Sequence, residues 1–132
     1  MSQENVEIVR RIYDAWAVGD FRAGIAYLDE HVVLVIGSDF PEFGVFVGAE
    51  GIRRYMRRFL EQWEELTIDA KELRTAGDTV IVRIVQHGKG RVSGIEGDVM
   101  YFQLLTFRGK KIVRMESIAD EDQALEAAGL SE

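Results

Sequence analysis

The amino-acid sequence predicts an α+β fold, in which helical segments come first and antiparallel strands follow. Two amphipathic helical patterns lie in the first half of the chain. The second half alternates between β-favouring runs and short turns that contain glycine. The length of 132 residues, 47% of them hydrophobic, is enough for one core. We therefore expect a single α+β domain over residues 1–132.

The first helix is predicted between Glu4 and Val18, with Ser2 as its N-cap and Gly19 as its terminator. Its apolar residues recur at helical spacing, at Val6, Val9, Ile12, Tyr13 and Trp16. A second, short helix is expected to be capped by Asp20. Its inner face is predicted to hold Phe21, Ile25 and Leu28.

The β-branched run 31–36 predicts the first strand, and the glycine-rich segment 37–48 predicts a loop. The clearest helical pattern runs from Ala49 to Glu65, with apolar residues repeating as far as Trp63. The four arginines of RRYMRRF lie off that apolar face. A solvated surface is the simplest interpretation of these arginines, and an anchor for an acidic patch on a partner is the alternative.

Four more strands are predicted, at 66–74, 79–87, 98–107 and 111–118. Tight turns separate the first two and the last two, and the glycine-rich segment 88–97 reads as a longer reversal. Within 79–87 we expect Val80, Val82 and Ile84 to face the core, and Arg83 and His87 to face outward. The alternative is the opposite parity, in which Arg83 and His87 face inward and could bind an anionic ligand. Asp120 and Gln123 form a capping box for a last short helix that ends at Gly129.

Composition narrows the possible partners. The net charge of −7 disfavours nucleic acid and anionic membranes as partners. Without cysteine there is no disulfide and no thiolate site, and His31 and His87 lack metal-ligand spacing, so we expect no metal and no cofactor. The start, MSQENVE, has no apolar signal core, and no stretch is long enough to span a bilayer. A cytoplasmic protein without a membrane partner is expected.

Several motifs, in this order, resemble the SnoaL-like branch of the NTF2-like superfamily. They are IYDAWAVGDFRAGIAYLDEHVVL, VGAEGIRRYMRRF, GKKIVRMES and ADEDQALEAAGL. The resemblance covers essentially the whole chain and implies a cone, in which a curved antiparallel sheet wraps around the N-terminal helices and leaves a pocket. The family includes ketosteroid isomerases and polyketide cyclases, and also members that only bind ligands. It therefore implies a small-molecule cavity more strongly than any one reaction.

Enzymes of this family mostly transfer protons, and the resemblance locates three positions where their carboxylates lie. Here those positions hold Ile36, Gln103 and Ser117. Gln103, in the strand YFQLLTF, can donate an N–H to a carbonyl but cannot deliver a proton. The alternative role for Gln103 is a core amide that satisfies neighbouring polar groups.

The candidate catalytic residues are Gln103, Asp39 and Tyr13. Gln103 would hold a carbonyl, while Asp39, a tyrosine or water would act as acid or base. The alternatives are a solvated turn for Asp39, which lies near Pro41, and a core position for Tyr13. The candidate ligand-binding residues are Trp16, Tyr101, Met115, Ser117, Phe40, Phe43 and Tyr55. Phe40 and Phe43 are expected near the entrance, in a loop that acts either as a lid or as a plug.

The sequence therefore predicts a pocket for a small hydrophobic molecule. Three functions fit it: an isomerase, cyclase or dehydratase acting on a carbonyl compound, a non-catalytic binding module, or a structural dimer scaffold. The strand 98–107 is apolar on both faces, so the face with Met100, Phe102, Leu104 and Thr106 needs a cover. We expect a homodimer through the sheet to provide that cover.

Overall fold

The structure is a computed structural model that describes residues 2–129, and it confirms the α+β class. The helices are α1 (Ser2–Ala17), α2 (Gly48–Glu61) and α3 (Glu121–Ala127). The strands are β1 (Leu28–Ile36), β2 (Gly44–Val47), β3 (Trp63–Ala76), β4 (Thr79–Gly90), β5 (Glu96–Arg108) and β6 (Lys111–Ile118). No helix in the described part of the chain is long and apolar enough to cross a membrane.

The strands form one six-stranded sheet in the order β2-β1-β6-β5-β4-β3. All neighbours are antiparallel except β1 and β6, which run parallel. The sheet is open, because β2 and β3 end it without pairing with each other. Register shifts interrupt the β1–β6, β3–β4 and β5–β6 pairs, and such irregularities bend a sheet.

The main core lies between α1 and the concave face of this sheet. The apolar stripe of α1 is buried, as its helical spacing predicts. Val80, Val82 and Ile84 of β4 face the same core, which confirms the predicted alternation of that strand. Arg83 lies on the other face and pairs with Glu72, with 3.6 Å between Nε and Oε1.

A smaller core lies on the outer face of the sheet, beneath α3. The Asp120 carboxylate accepts the main-chain N–H of Gln123 at 3.0 Å, so the predicted cap of this helix is confirmed. The buried members of this outer core are Ile81, Phe102, Leu104, Ile118 and Ala124. The expectation that Phe102 and Leu104 need a second subunit as cover is therefore wrong, because α3 already buries them. The homodimer itself stays a prediction.

The segment after α1 differs from the predicted short helix. It forms turns and a single 3-10 turn, Ile25–Tyr27, while Leu28 begins β1. The Asp20 carboxylate accepts the N–H of Arg22 at 3.2 Å, a local bond that favours a turn over a helix. Gly24 follows within four residues, and glycine is unfavourable inside a helix.

The segment from Gly37 to Gly48 also differs from prediction, since it contains β2 rather than only a loop. This four-residue strand pairs with β1, and its length is too short for an alternating pattern to stand out. Gly44 and Gly48, at the two ends of the strand, have φ of 152° and 78°, which only glycine adopts readily. The predicted helix after it ends at Glu61, so Trp63 belongs to β3 instead.

Candidate functional site

A cavity of about 420 Å³ lies between the helices and the concave face of the sheet. Its exposed lining residues mark the opening, and they include Asp39, Pro41, Gln62 and Val99. Its interior is mostly apolar and buried, with Ile12, Trp16, Leu34, Ile36, Leu105 and Ile112 among the lining residues. The volume falls within the range of about 300–1,000 Å³ that is usual for small-molecule sites.

A chain of three polar side chains reaches the wall of this cavity. Gln103 on β5 lies directly opposite Ser117 on β6, and both line the cavity. The hydroxyl of Tyr13, on α1, donates to Oε1 of Gln103, and Nε2 of Gln103 donates to Oγ of Ser117 at 3.3 Å. Tyr13, one of the candidate catalytic residues, does not itself line the cavity, which agrees with the alternative of a core position. Its hydroxyl contacts Gln103 from helix α1 rather than from the cavity.

The hydrogen bonds within the Tyr13–Gln103–Ser117 series determine which of its polar atoms remain free to bind a ligand. The Gln103 oxygen is taken by Tyr13, and one of the two amide N–H groups is taken by Ser117. Since Ser117 accepts that bond, its own hydroxyl hydrogen is available to donate. Neither remaining hydrogen has another partner within residues 2–129. The chain therefore presents donors to the cavity, and it suits a ligand that carries an acceptor.

A second polar pair lies on the neighbouring strand. Tyr101 on β5 donates its hydroxyl to Oε1 of Gln86 on β4 at 3.0 Å, and both residues line the cavity. The ring of Phe40 packs edge-on against Tyr101, with 5.4 Å between the ring centroids. Gln86 was missed by the sequence analysis. Strand alternation could have identified Gln86 as a lining residue, because it places Gln86 on the same face as Val82 and Ile84.

The lining is almost without charge. Among the described lining residues, only Asp39 and Glu42 carry charge, and both lie in the segment that forms the mouth. Burial raises the pKa of Tyr13 well above its ordinary value and also raises the pKa of Tyr101. Burial, followed by the Glu42 carboxylate, raises the pKa of Tyr55 to about 12. These phenols are therefore neutral donors near pH 7, and none is prepared to act as a base.

The mouth of the cavity is crossed by a hydrogen bond. Nε2 of Gln62, just after α2, donates to Oε1 of Glu42 at 2.7 Å. Trp63 follows and lines the cavity, although its sequence position suggested a helical core residue. Phe43 was expected at the entrance and is not there: it is 65% exposed and lies outside the cavity. Phe43 lies outside because a turn begins at Phe40, in which the Phe43 N–H donates to the Phe40 carbonyl at 3.2 Å.

Comparison with known proteins matches residues 9–115 to the family described as SnoaL-like domain. The chain belongs to the SnoaL-like family. The resemblance inferred from its motifs is thereby confirmed. Comparison with curated proteins found no match.

Solved structures similar to this SnoaL-like chain share its architecture. An NTF2-like protein from Burkholderia thailandensis is 28% identical, with a TM-score of 0.78 over 94% of each chain. TerC co-crystallised with polyporic acid is 19% identical, with a TM-score of 0.76 over 96% of this chain and 98% of TerC. A Catenulispora acidiphila protein with a ketosteroid isomerase-like fold, in complex with trimethylamine, is 22% identical. Its TM-score is 0.74 over 94% of this chain and 93% of that one. The last two likenesses show the fold alone.

Most of the predicted site residues of this SnoaL-like chain come together. The lining includes Trp16, Asp39, Phe40, Tyr55, Tyr101, Gln103, Met115 and Ser117. Strand alternation explains the positions of Tyr101 and Gln103 on β5 and of Met115 and Ser117 on β6, because residues at i and i+2 share a face. Ile36, where the family's isomerases carry a carboxylate, lines the cavity as an aliphatic side chain.

The two histidines lie outside the cavity. The ring nitrogens of His87 lie 2.5 Å from Oδ1 of Asp98 and 3.1 Å from Oε2 of Glu96, on the outer face of β4 and β5. The hydrogen bond to Asp98, followed by that to Glu96, raises the pKa of His87. The predicted outward orientation of His87 is confirmed. No group of three or more His, Cys, Asp or Glu side chains that could hold a metal ion occurs within residues 2–129.

Proposed function

We propose that this SnoaL-like protein binds a small, uncharged, largely apolar molecule whose carbonyl, or a similar acceptor, is held by Gln103 and Ser117. The observation that carries the proposal is the series of hydrogen bonds from Tyr13 through Gln103 to Ser117, which ends in donors at a largely apolar wall. A carbonyl oxygen accepts two hydrogen bonds, and the two remaining hydrogens of this chain supply two.

The absence of positive charge from the described lining supports an uncharged ligand. An anion would lose its hydration on entering an apolar cavity, and no lysine, arginine or histidine of residues 2–129 lines the wall to compensate. Neutral donors cost less to leave in an empty cavity than charges do. Two similar structures were determined with small molecules, polyporic acid and trimethylamine, which supports a small-molecule ligand for this fold.

Affinity and orientation come from different parts of the cavity. Burial of apolar ligand surface contributes about 25 cal/mol per Å², so the aliphatic and aromatic wall supplies most of the binding free energy. A neutral hydrogen bond adds only about 0.5–1.5 kcal/mol. Gln103 and Ser117 therefore decide which end of the ligand points inward more than how tightly it binds.

Binding is favoured over proton transfer because the interior holds no group suited to it. The phenols of Tyr13 and Tyr101 have raised pKa values, and the position of the family's inward carboxylate is occupied by Ser117. Asp39 lines the cavity but is exposed at the mouth, where water competes for it. A neutral amide at Gln103 orients a carbonyl without accepting its proton.

A matched pair of ligands tests the proposal. 2-Acetylnaphthalene and 2-isopropenylnaphthalene have the same shape and differ in a carbonyl oxygen against a methylene group. The test variant is Tyr13→Phe with Gln103→Leu, which removes both ends of the buried bond together. The ratio of ketone affinity to alkene affinity, measured by calorimetry, is expected to fall roughly twofold to tenfold in this variant.

The control for this experiment is Ile36→Val, which trims the apolar wall without touching the polar chain. It should weaken both ligands by the same factor, so the ratio stays constant. An unchanged ratio in the Tyr13→Phe/Gln103→Leu variant would show that the polar chain does not recognise the carbonyl, and the proposal would fall.

A further inference from the structure

A second depression, of about 580 Å³, lies between the edge strand β2 and helix α2. We call it the β2–α2 groove. Phe43, Val45 and Val47 line it on the strand side, and Arg54 and Arg58 line it on the helix side. Glu42 and Tyr55 are shared with the ligand cavity, but the exposed side chains of the groove are not.

The strand side of the groove is a free sheet edge. β2 is the last strand in the sheet order and pairs only with β1. The backbone N–H and C=O groups on its other side thus have no strand partner within residues 2–129. An unpaired edge of this kind is a template for another strand. Four residues at about 3.3 Å each give an edge of about 13 Å, enough for a short extended segment.

The outer side of this edge is apolar. Phe43, Val45 and Val47 are 65%, 63% and 62% exposed, and the strand residues among them alternate with Phe46, which packs inward against Tyr55. Proteins usually protect an exposed edge with charge, proline or a covering element. Here three large apolar side chains in a row remain in water, a pattern typical of an interaction site.

The helix side of the groove is basic. Arg54 and Arg58 are one turn apart on α2, and neither has a carboxylate partner among residues 2–129. Glu50 pairs with Arg53 instead, at 3.6 Å, and Glu42 is bonded to Gln62. In a chain of net charge −7, two unpaired guanidinium groups side by side form a local receptor for carboxylates. Screening over about 8 Å keeps the distant negative charge from cancelling it.

We infer that the β2–α2 groove docks an extended segment of another protein, which adds to the free edge of β2 and alternates apolar with acidic side chains. Side chains of an added strand point alternately to its two faces. One set would lie beside Val45 and Val47, and the other would lie beside Arg54 and Arg58. The apolar strand side of the groove therefore matches the apolar side chains of the segment, and the basic helix side matches the acidic ones.

A second copy of this chain is a poorer occupant of the groove. Two β2 edges paired about a twofold axis would bring Arg54 and Arg58 of each chain towards the same residues of the other. Guanidinium groups brought close together repel one another. Charge complementarity thus favours an acidic partner over self-association at this edge.

Peptide arrays test the inference with defined probes. Three sets of acetylated and amidated ten-residue peptides are needed: valine or phenylalanine alternating with glutamate, the same with lysine, and the glutamate composition arranged in blocks. The 132-residue protein should bind the best alternating glutamate peptides about tenfold more tightly than their lysine or block counterparts. The two alternating sets of backbone nitrogens are methylated in separate peptides, and methylation of the set that faces β2 should weaken binding about tenfold if the peptide adds as a strand.

Two protein variants locate the site. Arg54→Glu with Arg58→Glu should abolish the preference for glutamate peptides. The control is Arg10→Glu with Arg74→Glu, which changes the net charge equally on exposed residues elsewhere and should leave the preference intact. The circular dichroism spectra of both variants should match that of the wild-type protein, as a check that they are folded.

Several outcomes would overturn the inference. They are no preference for alternating glutamate, a preference that survives in Arg54→Glu/Arg58→Glu, or equal binding of the N-methylated peptides. Dimers of the free protein that are abolished by Val47→Lys would also overturn it, because a second copy would then occupy the edge.

Discussion

The amide of Gln103 is held between Tyr13 and Ser117. The Tyr13 hydroxyl donates to Oε1 and Nε2 donates to Oγ of Ser117, so both ends of the amide have a partner. The two roles considered from the sequence, core amide and ligand-facing amide, are therefore not exclusive. Gln103 satisfies a buried neighbour with one atom and lines the cavity with another.

Tyr13→Phe is expected to destabilise the fold. The substitution leaves Oε1 of Gln103 buried without a donor, and such a group costs about 1–3 kcal/mol. The free energy of unfolding, measured by urea denaturation, should fall by about that amount.

Adding Gln103→Leu to Tyr13→Phe provides the matched comparison. Removing both partners replaces a broken bond by apolar contact, so the double variant should be more stable than the sum of the two single losses. Strict additivity of Tyr13→Phe and Gln103→Leu would contradict a direct bond between the two side chains.

Among the elements, α3 stabilises the fold by covering the outer face of the sheet. Its start depends on the Asp120 side chain, which accepts the Gln123 N–H. Asp120→Ala should lower the free energy of unfolding by about 1 kcal/mol, because it removes the N-cap. Thermal or urea denaturation measures the change.

Asp120→Asn is the control, because asparagine caps helices about as well as aspartate. It should retain most of the stability lost in Asp120→Ala. Faster hydrogen exchange at Phe102 and Leu104 in Asp120→Ala alone would show that the helix protects these residues. Equal losses in the two variants would argue against the cap.

The elements also show what the sequence could and could not predict. Long periodic segments such as α1, and alternating strands such as β4, were predictable because their own residues decide their faces. The end of α2 was not predictable from its own residues. Its apolar repeat continues to Trp63, but Arg91, from the distant β4–β5 turn, donates to the carbonyls of Glu61 and Trp63 at 3.1 and 2.9 Å. A tertiary contact thus overrides the local helical preference.

The candidate site follows the same division. Gln103, Tyr101 and Ser117 were predictable as lining residues because strand parity groups Tyr101 with Gln103, and the family resemblance indicated that the faces carrying Gln103 and Ser117 point inward. Phe43 and Tyr13 were misplaced because their positions depend on a turn and on the depth of a helix against the sheet. The local periodicity of the sequence predicts neither the turn nor the depth of the helix.

At the scale of the whole molecule, the outer face of the sheet is where we expect a dimer contact. α3 covers Phe102 and Leu104, but Met100 remains 48% exposed beside its strand neighbour Val85. We expect a homodimer through this face at micromolar concentration, weakened by Met100→Glu because a charge would be buried at the contact. Light scattering measures the mass, and a monomeric wild-type protein would contradict the expectation.

The parallel pairing of β1 with β6 has a consequence for how the chain is made. β1 ends at Ile36, and its central partner is Lys111–Ile118, near the far end of the chain. During synthesis, β1 therefore leaves the ribosome long before β6, and an early β1–β2 hairpin would keep one edge unpaired until β6 is made. Loop closure over such a distance slows folding, and an unpaired strand edge is open to non-native pairing in the meantime.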